Sequence, residues 1–459
     1  MPVGKILYMS LYWKILQFLT SFIINIILAR TFQSAISAEF YSLVYILSLG
    51  ISFFTLGLDI SLNYYLSRKE ISPAIAGRII CFIVVLALVV CLSLLWLFYL
   101  PSRYPGLGLS LFQLLLFSAF NIAGGLLTTL SGTLFTVYGR NHLPAMVAFI
   151  ANLIVAVLSL IFSRISSGSL VVGSLLRVYF LFSFLQGLFL FVLSMRLYTG
   201  RGSKRHRTGW EPGQSIGGSP EQSIMGSSGP VKAVEILRYS FAAFIINFIF
   251  FAGSKLCVYL LPYRVSPADQ GNYIQAYKIV EYMSVMISVI YYPFIALVAG
   301  EENERVKEKV LFLVRISNTL VLLSGIFILV CGWWLFPFIF GGSFDRMYGI
   351  FIGFLPGLFA VCSSTFFTAY YFGRGQLKYN FISACIQFAG TFTFFFLFVH
   401  EGNALAAAYA FSVAVLGSLS YDMLVFRRFL RFSLKDVLLV HRRDLDNIVS
   451  FIRLSIKKR

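Results

Sequence analysis

Eight ionisable side chains lie inside long apolar runs of this sequence: Lys14, Asp59, Arg177, Lys255, Lys278, Glu281, Arg315 and Asp422. A charge in hydrocarbon costs at least about 2–3 kcal/mol, so each needs a partner or a purpose. Lys255 and Lys278 fall in the outer half of their runs together with Glu281. Lys14 and Asp59 each lie roughly two turns from the inner face. Lysines at such depths can hold an anion, and a carboxyl there can carry a proton or a sodium ion. Lys14, Lys255 and Lys278 are therefore candidate substrate-binding residues, and Asp59 and Glu281 are candidate coupling-ion residues. Plainer accounts exist for several. Lys278 and Glu281 are three residues apart and can pair on one helix face. Asp59 can bond Asn63 or pair with Lys14. Arg177, Arg315 and Asp422 lie near run ends, within reach of the interface. Cations outnumber acids in the runs, which favours an anionic cargo.

The elements that must position these residues are helices. The 459 residues are 59% hydrophobic and only 12% charged, and their mean hydropathy is +0.84. A soluble chain carries about twice that charged fraction. Apolar runs of about 20 residues recur, enough to cross a bilayer, and the short alternating strands of an outer-membrane barrel are missing. About twelve spans are expected: near 6–29, 40–66, 79–100, 110–136, 144–163 and 173–195, then 235–262, 273–298, 310–339, 347–372, 379–399 and 403–426. The first run is too long for a signal-peptide core.

Residues 199–230 are rich in Gly, Ser, Pro and charge, the composition of a flexible linker. The expected organisation is a first bundle over 1–198, a linker over 199–234, a second bundle over 235–426 and a basic amphipathic tail over 427–459. With the N-terminus inside, about 27 basic residues fall in inner segments and about five in outer ones. This pattern predicts a multi-pass protein with both termini cytoplasmic. The net charge of +19 is thus a matter of orientation, and no nucleic-acid partner is indicated. The six cysteines lie in apolar runs without a CxxC pair, and the four histidines form no metal-ligating pattern. No cofactor is implied.

The two halves echo one another. Asn25 is matched by Asn247, Tyr41 and Tyr45 by Tyr273 and Tyr277, and Tyr138-Gly139-Arg140 by Phe372-Gly373-Arg374. The fold class expected is an all-α polytopic membrane protein of about twelve helices in two six-helix bundles. With an even number of helices per half, the pseudo-two-fold axis lies along the membrane normal.

Several of these stretches resemble the Wzx-type O-antigen and polysaccharide flippases. They are Ile27-Leu28-Ala29-Arg30-Thr31-Phe32 followed by Glu39-Phe40-Tyr41, Gly57-Leu58-Asp59, Gly271-Asn272-Tyr273 through Lys278 and Glu281, and Phe340-Gly341-Gly342-Ser343-Phe344. That family is related to MATE multidrug exporters and the lipid II flippase. The resemblance implies alternating access in the bacterial inner membrane, with a lipid-linked, undecaprenyl-pyrophosphate oligosaccharide as cargo. It also implies contact with membrane lipids, and with a polysaccharide polymerase and chain-length machinery. The lipid II relatives carry arginines in their first helix and two extra helices, where this sequence has Lys14 alone and no extra pair. The alternative is a cation-coupled, MATE-like drug exporter, which would favour acids over cations in its cavity. A glycan-handling enzyme would need a large outer loop, and the expected outer loops are short.

Overall fold

The computed structural model describes residues 3–199, apart from most of 56–70 and the stretches 99–104, 141 and 166–168, and residues 233–429 apart from 301–302. The linker and tail expectations therefore fall outside the described residues. Among those residues the chain is all helix, with eleven α-helices and no strands. They are α1 (Val3–Thr55), α2 (Pro73–Phe98), α3 (Leu111–Val137), α4 (His142–Ile165), α5 (Ser169–Thr199) and α6 (Ala233–Leu260), followed by α7 (Pro267–Gly300), α8 (Asn303–Phe340), α9 (Met347–Gly373), α10 (Leu377–Phe398) and α11 (Ala404–Phe429). Ten segments among the described residues are long and apolar enough to cross a membrane.

The first two expected spans meet without a loop, as two helical arms of α1 joined at a kink. The 53 residues of α1 would extend about 80 Å if straight, more than two bilayer cores. The polar break expected near 30–39 is helical too, because Ser34, Ala35, Ser37 and Ala38 include no Gly or Pro to stop it. Regular geometry fails only at Gln33, with φ 59° and ψ −178°. That backbone region is essentially reserved for glycine.

Helix ends follow local chemistry elsewhere. Ser110 and Gln113 form a reciprocal capping box that starts α3. At the far end of α3, Gly139 adopts φ +67°, with its N–H donating to Thr136 and that of Arg140 to Phe135. α9 ends the same way: Gly375 has φ +67°, its N–H donates to Phe372, and that of Gln376 to Tyr371. Both are left-handed glycine caps. The structural repeat thus pairs Gly139 with Gly375, two positions beyond the pairing with Gly373 that the letters suggest.

The chain falls into two compact units. Among the described residues the first comprises 3–199, 233–274 and Phe336–Arg346. It therefore holds α1 to α6, the start of α7 and the end of α8. Within it α3 packs on α5, and α1 on α4. The α3–α5 crossing is glycine-made: a Cβ on Gly187 would sit 2.4 Å from the Gly124 carbonyl, and one on Gly124 equally close to that of Ser183. Small residues at such crossings let helices approach where lipid supplies no hydrophobic drive. α6 also belongs to this unit, since Phe53 of α1 packs edge-on against Phe244 and Phe248. The unit boundary therefore differs from the expected boundary at the linker.

Among the described residues the second unit comprises 275–335 and 347–429. In it α11 packs on both α9 and α10. Ser412 of α11 enters the backbone of α9: its hydroxyl donates to the Gly353 carbonyl at 2.7 Å and accepts the Gly357 N–H at 3.1 Å. One α-helical turn is thereby bridged by a serine, directly after Pro356, which has no N–H of its own.

Candidate functional site

The five candidate residues lie on three helices and one short segment. Lys14 is half-buried on the first arm of α1, and Asp59 is half-buried just after α1, beside Gly57 at φ +64°. Lys278 and Glu281 are half-buried, three residues apart on α7, within the second unit. Lys255 of α6 belongs to the first unit and is only 5% exposed. Its ammonium stands 4.3 Å from the centre of the Tyr45 ring, a cation–π arrangement. The Tyr259 hydroxyl, one turn along α6, donates to the Tyr45 carbonyl at 3.0 Å. Lys255 is thus held against α1 by aromatic and backbone contacts from two tyrosines. Little water competes for an ammonium so enclosed, which strengthens its electrostatic interactions.

Tyr41, one turn before Tyr45, donates its buried hydroxyl to Asn25 Oδ1 at 2.5 Å. This bond ties the two arms of α1 across the Gln33 break.

The structure brings forward a residue that sequence position made look peripheral. Asp422 was expected near a span end, with access to the interface. It is fully buried instead, because the third face of α11 there is closed by α9 and α10. The hydroxyls of Ser364 and Ser383 face the carboxylate, yet neither of its oxygens accepts a bond of ordinary geometry. Ser383 lies 2.7 Å from Ser418, and Tyr371 donates to the Asp422 main-chain carbonyl at 2.6 Å. No salt bridge to Asp422 occurs among the described residues. A carboxylate in such a place is costly to hold as an isolated charge. The signal available in the sequence was the spacing of Ser418 and Asp422, four residues apart on one helix face.

No family model and no curated protein matches the chain in sequence. Solved structures do match its fold. The lipid II flippase MurJ in an inward closed conformation is 14% identical, with a TM-score of 0.60 over 98% of this chain and 92% of that one. An outward-facing MATE-family multidrug transporter of the MOP superfamily is 12% identical, with a TM-score of 0.61 over 93% and 95%. A MOP-superfamily transporter from Pyrococcus furiosus, described as having a binding pocket of reverse polarity, is 14% identical at a TM-score of 0.57 over 93% and 94%. The class defined here is a polytopic helical membrane protein. More narrowly, its fold is the one shared by MATE transporters and the lipid II flippase.

Proposed function

We propose that this protein is a flippase that moves a lipid-linked, undecaprenyl-pyrophosphate oligosaccharide from the inner to the outer leaflet of the cytoplasmic membrane by alternating access, for assembly of a surface polysaccharide. The observation that carries the reading is Lys255, an ammonium 5% exposed in an apolar helix and braced by Tyr45 and Tyr259. A buried ammonium in a low-dielectric setting attracts an anion strongly, and a diphosphate supplies one. Lys14 and Lys278 add positive charge along the helices for the same diphosphate or for acidic sugars, while the prenyl chain remains in lipid. Asp59 and Glu281 are the coupling-ion candidates, and Asp422 joins them on its burial. In this reading both termini are cytoplasmic, and a polymerase with its chain-length machinery receives the flipped unit.

A cation-coupled, MATE-like multidrug exporter is the second reading, and Asp422 is the observation in its favour. A mass-spectrometric census of lipid-linked glycans, with sidedness, in cells with and without the protein separates the two. Build-up of a prenyl-diphosphate oligosaccharide on the inner leaflet after loss of the protein supports the flippase and identifies its cargo. An unchanged census with altered dye efflux supports the exporter.

A further inference from the structure

Three stretches far apart in sequence meet at one end of the first unit. The Arg30 guanidinium donates to the carbonyls of Phe338 and Ile339. These belong to the last turn of α8, where helical carbonyls have no intrahelical donor. The Ser34 N–H donates to Ser343 Oγ at 3.2 Å, and Asn272 Nδ2 donates to the Ser343 carbonyl, also at 3.2 Å. Gly271 lies flat against α1, where a Cβ would fall 1.9 Å from the Ser34 carbonyl oxygen. Gln270 donates to Ser42 at 2.8 Å, and Arg346 pairs with Asp269 at 2.7 Å. The backbone that presents Ser34 to these partners is the strained one, since Gln33 immediately precedes it.

Strain of this kind persists only where surrounding contacts overdetermine it. Here the contacts are known, and they all come from α7, α8 and the turn after α8. The intervening residues Gln275–Leu335 belong to the second unit. The clasp lies wholly within the first unit, where the start of α7, the end of α8 and the turn after it meet α1, at the end that loop charge assigns to the outside.

We propose that Arg30, the Gln33–Ser34 turn, Gly271 and the turn of residues 341–346 form a spring-loaded outer closure, in which contacts made only in the closed form hold Gln33 strained and opening releases it. Two opposed effects then set the balance. The Arg30, Asn272 and Ser343 bonds favour the closed form, and the Gln33 backbone favours the open one. A closure balanced in this way can cycle, whereas one without the strain would stay shut. This inference goes beyond the proposed cargo and does not depend on it.

The test uses the full chain in cells and a membrane-impermeant maleimide. Ser34 is buried in the closed form, so S34C should label slowly from outside, relative to the chain without the added cysteine. Adding G271A places a methyl group against the Ser34 backbone and should speed labelling at least tenfold. Adding Q33G relieves the strain and should slow labelling below that of S34C alone. Adding D269R should speed it, and the swapped pair D269R/R346D should restore protection. Because G271A can impair folding, the D269R arm and its rescue decide the matter on their own in protein that remains monodisperse. Equal labelling across S34C, S34C/D269R and the swap overturns the proposal, as does labelling that occurs only after permeabilisation. Neither outcome bears on which molecule is carried.

Discussion

Lys255 combines deep burial with positive charge, and its substitution separates packing from function. Methionine matches its length without its charge, so packing against Tyr45 is kept while the ammonium is lost. Lys255→Met should leave the purified protein folded, yet lower transport in a cell-based flipping assay at least tenfold, a loss of about 1.4 kcal/mol. A stability loss with transport intact would make Lys255 a packing residue. Asp422 invites the complementary experiment. Asp422→Asn keeps the shape and removes the ionisable group, so folding should persist while transport loses its response to an imposed sodium or proton gradient. Transport by the variant that still follows the gradient would remove Asp422 from the coupling. That Lys255 is buried follows from its setting amid Phe, Val and Leu, where a lysine has few cheap positions. Sequence position misjudged Asp422, since distance from a helix end says nothing about which neighbours close over the residue. Only the packing of α9 and α10 on α11 supplies that.

Helix ends carry the next set of consequences. Arg30, read from sequence as an outer-loop cation, caps the carbonyl end of α8. Charged hydrogen bonds of this sort contribute about 1.5–3 kcal/mol. Arg30→Ala should lower the unfolding temperature of the purified protein, and Arg30→Lys, which cannot bond two carbonyls in one plane, should recover only part of the loss. Ser412→Val should be more damaging than its size suggests. It strands the Gly353 carbonyl and the Gly357 N–H in a setting without water, at a cost of about 1–3 kcal/mol for each group left unmade; Ser412→Thr, retaining the hydroxyl, should be milder by the same thermal measurement. Element positions were largely legible, because Gly, Pro and polar breaks punctuate the apolar runs. Two features were not. The Gln33 break lacks any residue that favours it, and is imposed by partners from α7 and α8. The repeat register slipped by two because Gly373-Arg374 copies the letters of Gly139-Arg140, while the left-handed backbone of the second copy falls on Gly375.

At the scale of the whole molecule, the two compact units do not coincide with the two halves of the sequence. α6 sits with the first unit through the Phe53 aromatic contacts and Tyr259, although it follows the Gly/Ser-rich stretch. Composition reveals linkers, and it cannot reveal to which neighbours a helix returns. The glycine crossing of α3 and α5 predicts that Gly187→Ala, with its methyl 2.4 Å from a backbone oxygen, destabilises the first unit by about 1–3 kcal/mol. Limited proteolysis should then show earlier cleavage within residues 105–199 than within 347–429; uniform cleavage would deny the units separate stability. The continuity of α1 has a bearing on biosynthesis. A ribosome making this chain delivers its first two membrane crossings separated only by the short polar stretch 30–39. Neither arm can pair Tyr41 with Asn25 until both have emerged, so the insertion machinery receives them as one helical hairpin rather than as successive single helices.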